Sequence, residues 1–213
     1  MTKIFKKSIV VLIMLSMLFF VACDSKSTTP TFETGSFDGM VFTNEWANMK
    51  FTFPEDSVVA SQDEINEIMK QGNSMLYSDD EKMEEALSKA ADLKLAYDFL
   101  ISSPDNTTNY QLFYENLALS VGGTKYTEKE YLDVALEPVL ANKELGYEIL
   151  DEGTKVIANK EFYYYTLSGY GGVVIQNMYC YKLDNRMIVF TTTYTPENEK
   201  SVSEVIDNIT VAK

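Results

Sequence analysis

The 213-residue chain contains no histidine. That absence removes serine–histidine and cysteine–histidine nucleophile systems, together with histidine-containing zinc sites, in one step. Arginine is almost missing too, since Arg186 stands alone, and 18 basic residues face 32 acidic ones for a net charge of −14. Phosphate backbones are bound through clustered lysine and arginine, so nucleic acid is not an expected partner. With only Cys23 and Cys180 present, no disulfide framework exists inside a domain. Cys180 lies in an apolar, strand-like run and reads as an inert buried thiol.

What is present is concentrated first at the start. Lys3, Lys6 and Lys7 precede the apolar run Ile9 to Val21, which ends at Ala22-Cys23. A positive start, a short apolar stretch and a small residue at the cleavage point mark a secretory signal. The run of 13 residues falls short of the roughly 20 needed to cross a bilayer. Phe20-Val21-Ala22-Cys23 resembles a lipobox, in which the Cys23 thiol accepts a diacylglyceryl group, with palmitate as an expected acyl chain. Residues 1–22 are therefore expected to be a signal peptide, 23–38 a polar tether and 39–213 a single globular domain, a monomer without cofactor or metal. Loss of Lys3, Lys6 and Lys7 takes the net charge from −14 to −17. An anionic lipid surface would repel such a domain, which leaves the acyl chains to hold it at the cell membrane, facing outside the cytoplasm.

Within the domain, Met40–Thr43 and Met49–Phe53 read as paired strands stopped by Pro54. Ser61-Gln62-Asp63-Glu64 is a capping box opening a helix that Gly72 is expected to end. Residues 79–91 carry a thin apolar stripe at helical spacing; their acidic cluster lacks the central glycine of an EF-hand loop and reads as a solvated helix start. Leu93 to Ile101 is a strand with Leu93, Leu95, Tyr97, Phe99 and Ile101 on one face, and another strand follows over Tyr110 to Leu119. Thr127-Glu128-Lys129-Glu130 caps the clearest helix, with Tyr126 and Tyr131 as a hydrophobic staple, an apolar face running to Leu140, and Pro138 expected to kink it.

From Tyr147 onward the expected pattern is an antiparallel meander of Tyr147–Leu150, Lys155–Ala158, Glu161–Leu167, Val173–Leu183 and Arg186–Tyr194. Gly169-Tyr170-Gly171-Gly172 lies between strands with no Gly-Lys-Ser or Gly-Lys-Thr ending, so it reads as a hairpin loop and not a phosphate cradle. Thr195-Pro196 opens a final helix carrying Val202, Val205, Ile206 and Ile209. Strands apolar on both faces, such as Phe162–Tyr165 and Ile188–Phe190, must be covered on both sides. An α/β/α sandwich around a mainly antiparallel sheet of six or seven strands, an α+β fold, satisfies that requirement.

The opening hairpin Phe42-Thr43-Asn44 to Phe51-Thr52-Phe53-Pro54, the early helix, the meander and the closing strand and helix from Ile188 to Ile209 together resemble the PsbP-like family. That family is named for an extrinsic photosystem II subunit and is also found in bacterial lipoproteins. The resemblance implies an accessory or binding role for an unknown protein or small ligand, not a shared reaction. Where such proteins often carry Gly-Trp after the proline, this chain has Glu55-Asp56-Ser57, and Trp46 lies earlier. A non-catalytic binding lipoprotein is thus the leading expectation, ahead of a solute-binding lipoprotein and a carboxylate-dependent hydrolase. For partner contact, Tyr163, Tyr165 and Tyr170 are the candidates, read as a cluster near the Gly169–Gly172 tip.

Overall fold

The structure, a computed structural model, describes residues 32–77, 94–120 and 122–213. The signal segment, Cys23 and the helix expected over 79–91 lie outside the described residues. Among the described residues no helix is long and apolar enough to cross a membrane.

Among the described residues ten strands form two sheets. The small one has the order β1-β2-β3, built from β1 (Ser36–Asp38), β2 (Val41–Asn44) and β3 (Met49–Thr52). The large one has seven strands in the order β4-β5-β6-β10-β9-β8-β7, all antiparallel. Its strands are β4 (Val58–Val59), β5 (Leu95–Ser102), β6 (Thr108–Asn116), β7 (Glu148–Ile157), β8 (Lys160–Gly169), β9 (Val174–Leu183) and β10 (Arg186–Tyr194). Among the described residues three α-helices of a turn or more accompany them: α1 (Gln62–Tyr77), α2 (Glu128–Ala141) and α3 (Glu199–Asp207).

Both faces of the large sheet are covered, as its doubly apolar strands require. On one face the small sheet delivers Phe42, Met49, Phe51 and Phe53, and α3 delivers Val202, Val205 and Ile206, onto Phe99, Leu112, Tyr179 and Phe190. On the other, α2 lays Tyr131, Leu132, Ala135, Leu136 and Val139 over Phe113, Met178, Cys180 and Val189. The expected three-layer arrangement holds, with one outer layer shared between a small sheet and a helix. Cys180 is fully buried beneath α2, and burial pushes its thiol well above the usual range.

Local signals explain the helix starts. Ser61 and Glu64 exchange the bonds of a capping box, Ser61 N–H to Glu64 Oε2 at 2.8 Å and Glu64 N–H to Ser61 Oγ at 3.4 Å. Thr127 and Glu130 do the same for α2. Gly72 is a weaker stop than the sequence suggested. Helix α1 continues past Gly72 to Tyr77, and α2 continues through Pro138 to Ala141, where the Asn142 N–H donates to the Pro138 carbonyl. Leu140, expected on the apolar face, is exposed.

Three further corrections concern strands. In β5 the pairing with β6 shifts between Tyr97 and Phe99. A β-bulge places two successive residues on the same side, so Leu95 and Tyr97 pack toward α2, whereas Phe99 and Ile101 join the opposite core. The two strands expected at Tyr147–Leu150 and Lys155–Ala158 are one ten-residue strand, β7, with a bulge between Ile149 and Asp151. The folded unit also reaches back beyond the boundary expected at residue 38: β1 pairs with β2, and Phe32 packs edge-on against Trp46 and Tyr114 at 5.0 and 5.1 Å.

Candidate functional site

The hairpin β7–β8 turns through Ala158 and Asn159, both at positive φ, the conformation of a tight two-residue turn. This turn sets the register Thr154 opposite Tyr163 and Glu152 opposite Tyr165. All four side chains therefore share the face of the sheet on which α2 lies. The cap at Thr127 fixes where α2 begins, and Lys129 and Asp133, one helical turn apart, come down over the tyrosines. Tyr165 is only 2% exposed. Its hydroxyl donates to Asp133 Oδ1 at 2.5 Å and accepts from Lys129 Nζ at 2.5 Å. Lys129 also donates to Asp133 Oδ1 at 3.0 Å and Glu152 Oε2 at 3.4 Å, and its ammonium lies 5.7 and 5.1 Å from the ring centres of Tyr163 and Tyr165.

Each charge in this cluster is held in its ordinary state. The hydrogen bond to Tyr165, then that to Asp133, raises the Lys129 ammonium further above its usual range. Burial works against ionised Asp133, but the bonds from Tyr165 and Lys129 outweigh it and keep its carboxyl low. Glu152 is lowered, first by Tyr165. Burial, then Asp133, keeps Tyr165 protonated. An always-charged lysine, two carboxylates and a neutral phenol hold the helix to the sheet and offer no group poised to exchange a proton near neutral pH.

Tyr170 belongs elsewhere. It has φ 52°, donates its N–H to the Leu145 carbonyl at 3.1 Å and packs edge-on against Tyr147 with ring centres 5.9 Å apart. Tyr163 is six residues along β8 from Gly169, about 20 Å at strand rise. The three tyrosines thus form no cluster at the glycine tip. Tyr163 and Tyr165 join Lys129, and Tyr170 joins Tyr147.

The outermost element beside this cluster is β7 itself. Among the described residues one side of it pairs with β8 and the other ends the sheet. Alternate backbone groups of such an edge point outward without a ladder partner. Along it Ile149, Leu150 and Val156 are 44%, 54% and 66% exposed, and Glu148, Asp151 and Glu152 stand among them. The neighbouring cations are engaged inward, Lys129 with Glu152 and Lys155 with Asp207 at 2.7 Å.

No protein-family model matches the sequence, and no curated protein matches it significantly. Solved structures do match. Cyanobacterial PsbP (CyanoP) of Synechocystis aligns over 88% of this chain and 98% of its own, at TM-score 0.50 and 7% identity. The fold is PsbP-like. The chain also aligns with LpqN of Mycobacterium tuberculosis, described as involved in cell envelope biogenesis, over 78% of this chain and 83% of that one at TM-score 0.41 and 10% identity. A Bacteroides thetaiotaomicron protein aligns over 83% of this chain and 50% of its own at TM-score 0.39 and 15% identity.

Within the PsbP-like domain, sequence reasoning missed Lys129, Asp133 and Glu152. Lys129 and Asp133 carried a signal, opposite charges four apart on a capped helix. Glu152 carried none, because its role depends on β7 lying outermost.

Proposed function

We propose that the chain is a lipid-anchored protein held at the cell membrane through Cys23, facing outside the cytoplasm, with a non-catalytic accessory role exercised by docking another protein along β7. The reading of the anchor rests on the Lys3 to Cys23 segment. The accessory role is what a PsbP-like fold makes reasonable, and the observation that carries docking is the open edge of β7. Its acidic side chains oppose pairing with a second, equally acidic copy, the usual hazard of an exposed edge. The same charges attract an extended basic segment, whose backbone would complete the ladder while its apolar side chains cover Ile149 and Val156.

Two measurements test the two halves separately. Cys23→Ala should abolish acyl labelling and release the protein from membranes; continued labelling rejects the anchor. For docking, the purified protein is titrated with an alternating Lys/Val decapeptide and with its Glu/Val counterpart while amide hydrogen exchange is followed. Protection confined to residues 148–157, given by the basic peptide alone and weakened by salt, supports the edge. Equal protection by both peptides, or none by either, overturns it.

A further inference from the structure

A concave site lies at the far end of the large sheet from the β7–β8 turn. Pro54, Asp56 and Ser57 after β3, the β5–β6 loop from Ser103 to Thr107, Tyr110 of β6, and Asn198 and Ser201 at the start of α3 enclose about 350 Å³. That volume is at the lower end of small-molecule sites.

The walls are held before any ligand arrives. Asp105 Oδ1 accepts from Ser103 Oγ at 2.6 Å, from Thr107 N–H at 3.1 Å and from Thr107 Oγ1 at 2.8 Å. Asn198 Nδ2 donates to Thr107 Oγ1 at 2.9 Å, tying the loop to the helix entry. These bonds leave Asp105 Oδ2 and Asn198 Oδ1 with no partner among the described residues. The Ser103 bond first, then those of Thr107, hold the Asp105 carboxyl below its usual range, so it is an ionised acceptor.

Tyr110 distinguishes this cleft from an ordinary surface hollow. Its side chain is 4% exposed and packs against Phe53 with ring centres 5.4 Å apart, yet its hydroxyl has no hydrogen-bond partner among the described residues. Burial pushes that hydroxyl up to about 12, which makes it a donor at neutral pH. The ring is buried while the hydroxyl stays open to the cleft, where it can donate to a ligand.

We propose that this cleft binds a sugar-sized polyhydroxy molecule, neutral or carrying an amino group. The lining combines hydroxyls of Ser57, Ser103, Thr108 and Tyr110 with carboxylates of Asp56 and Asp105 and contains neither lysine nor arginine among the described residues. Carboxylates accept in pairs from vicinal hydroxyls or an ammonium group and repel an acidic ligand. The two prolines supply rigid apolar walls for the ring. This site is independent of the β7 edge and of the anchor.

Saturation-transfer NMR on the purified full-length protein, with glucose, glucosamine and glucuronic acid as probes, tests the assignment. Glucose and glucosamine should bind, glucosamine the more tightly, and glucuronic acid should not. Tyr110→Phe should weaken both by about tenfold while leaving the melting temperature unchanged or slightly higher, because it removes a hydroxyl that no protein group satisfies. Binding of glucuronic acid as strong as that of glucosamine, absence of binding by glucose and glucosamine, or unaltered affinity in Tyr110→Phe would each overturn the proposal. Asp56→Asn, on the exposed rim, provides a second variant that should abolish the preference for glucosamine over glucose; a retained preference counts against the carboxylate's role.

Discussion

The side-chain amide of Asn44 donates to the Asp98 carboxylate at 2.8 Å, joining the last residue of β2 to the bulge of β5. The same amide reaches the Tyr114 hydroxyl at 3.0 Å, Tyr114 in turn donates to Asp98, and the Gly35 N–H donates to the other carboxylate oxygen at 2.9 Å. The small sheet is thus fastened to the large one by a polar cluster inside an otherwise aromatic core. Asn44 and Tyr114 are both fully buried. A satisfied buried network fixes how two apolar surfaces meet, and removing one member leaves the others unpaired.

Burial raises the Asp98 carboxyl above its ordinary value despite the bonds from Tyr114, Gly35 and Asn44. The folded state then favours the neutral acid more than the unfolded chain does. The stability this contributes is complete below the unfolded value, about 4, and is lost as pH rises through the raised folded value. Asp98→Asn lacks that loss. Its melting temperature relative to the unsubstituted protein should therefore improve as pH rises above about 4, with all other carboxylates common to both proteins. Parallel melting profiles across that range would show Asp98 to be unshifted.

Replacing Asn44 by Ala should cost about 1–3 kcal/mol, the range for leaving a buried acceptor unsatisfied. The Ala47 N–H, which donates to Asn44 Oδ1 at 2.7 Å, loses its acceptor in the same change. Urea denaturation measures the effect, and a cost below about 0.5 kcal/mol would show that the cluster does not depend on this amide.

Cys180→Ser should lower stability by about 1–3 kcal/mol, because a hydroxyl enters an apolar site under α2 with Met178 and Val189 as neighbours. The native thiol should resist alkylation until the protein unfolds. Rapid modification under native conditions would contradict the packing.

Strand β10 and the Thr127 cap were legible because their signals are local: a run of β-branched and aromatic residues in one case, a four-residue hydrogen-bonding pattern in the other. The face change in β5 was not. Alternation alone put Leu95 and Phe99 together, although the carboxylate at Asp98 in an apolar run was a trace of the bulge. Strand β7 was divided because Asp151, Glu152 and Gly153 look like a turn; at a sheet edge, solvent tolerates such residues within a strand. The candidate surface was half legible for the same reason. Tyr163 and Tyr165 stood out by type, but which strand lies outermost is decided by the strand order, which no local pattern carries.

Lys129→Ala should lower the melting temperature only slightly, since exposed ion pairs contribute little and the apolar face of α2, more than its bond to Tyr165, carries the packing on the sheet. Binding of the Lys/Val peptide at β7 should instead tighten a few-fold, with the gain fading as salt is added, because Asp133 and Glu152 lose their internal cation. Weaker peptide binding in Lys129→Ala would show that the lysine itself forms part of the docking surface.

Tyr170 supplies a test that separates packing from backbone strain. Its ring rests on Tyr147, a contact worth about 0.5–1.5 kcal/mol for an aromatic pair, while its φ of 52° lies in the left-handed region that only glycine adopts freely. Tyr170→Ala loses the ring and keeps the strain, so it should be destabilised by about 1–2 kcal/mol. Tyr170→Gly loses the same ring and relieves the strain, and should therefore be the more stable of the two although it removes more atoms. Urea denaturation of both variants decides the point. If the glycine variant proves less stable than the alanine variant, the turn at Gly169–Gly172 is not strained at Tyr170 and the residue contributes through packing alone.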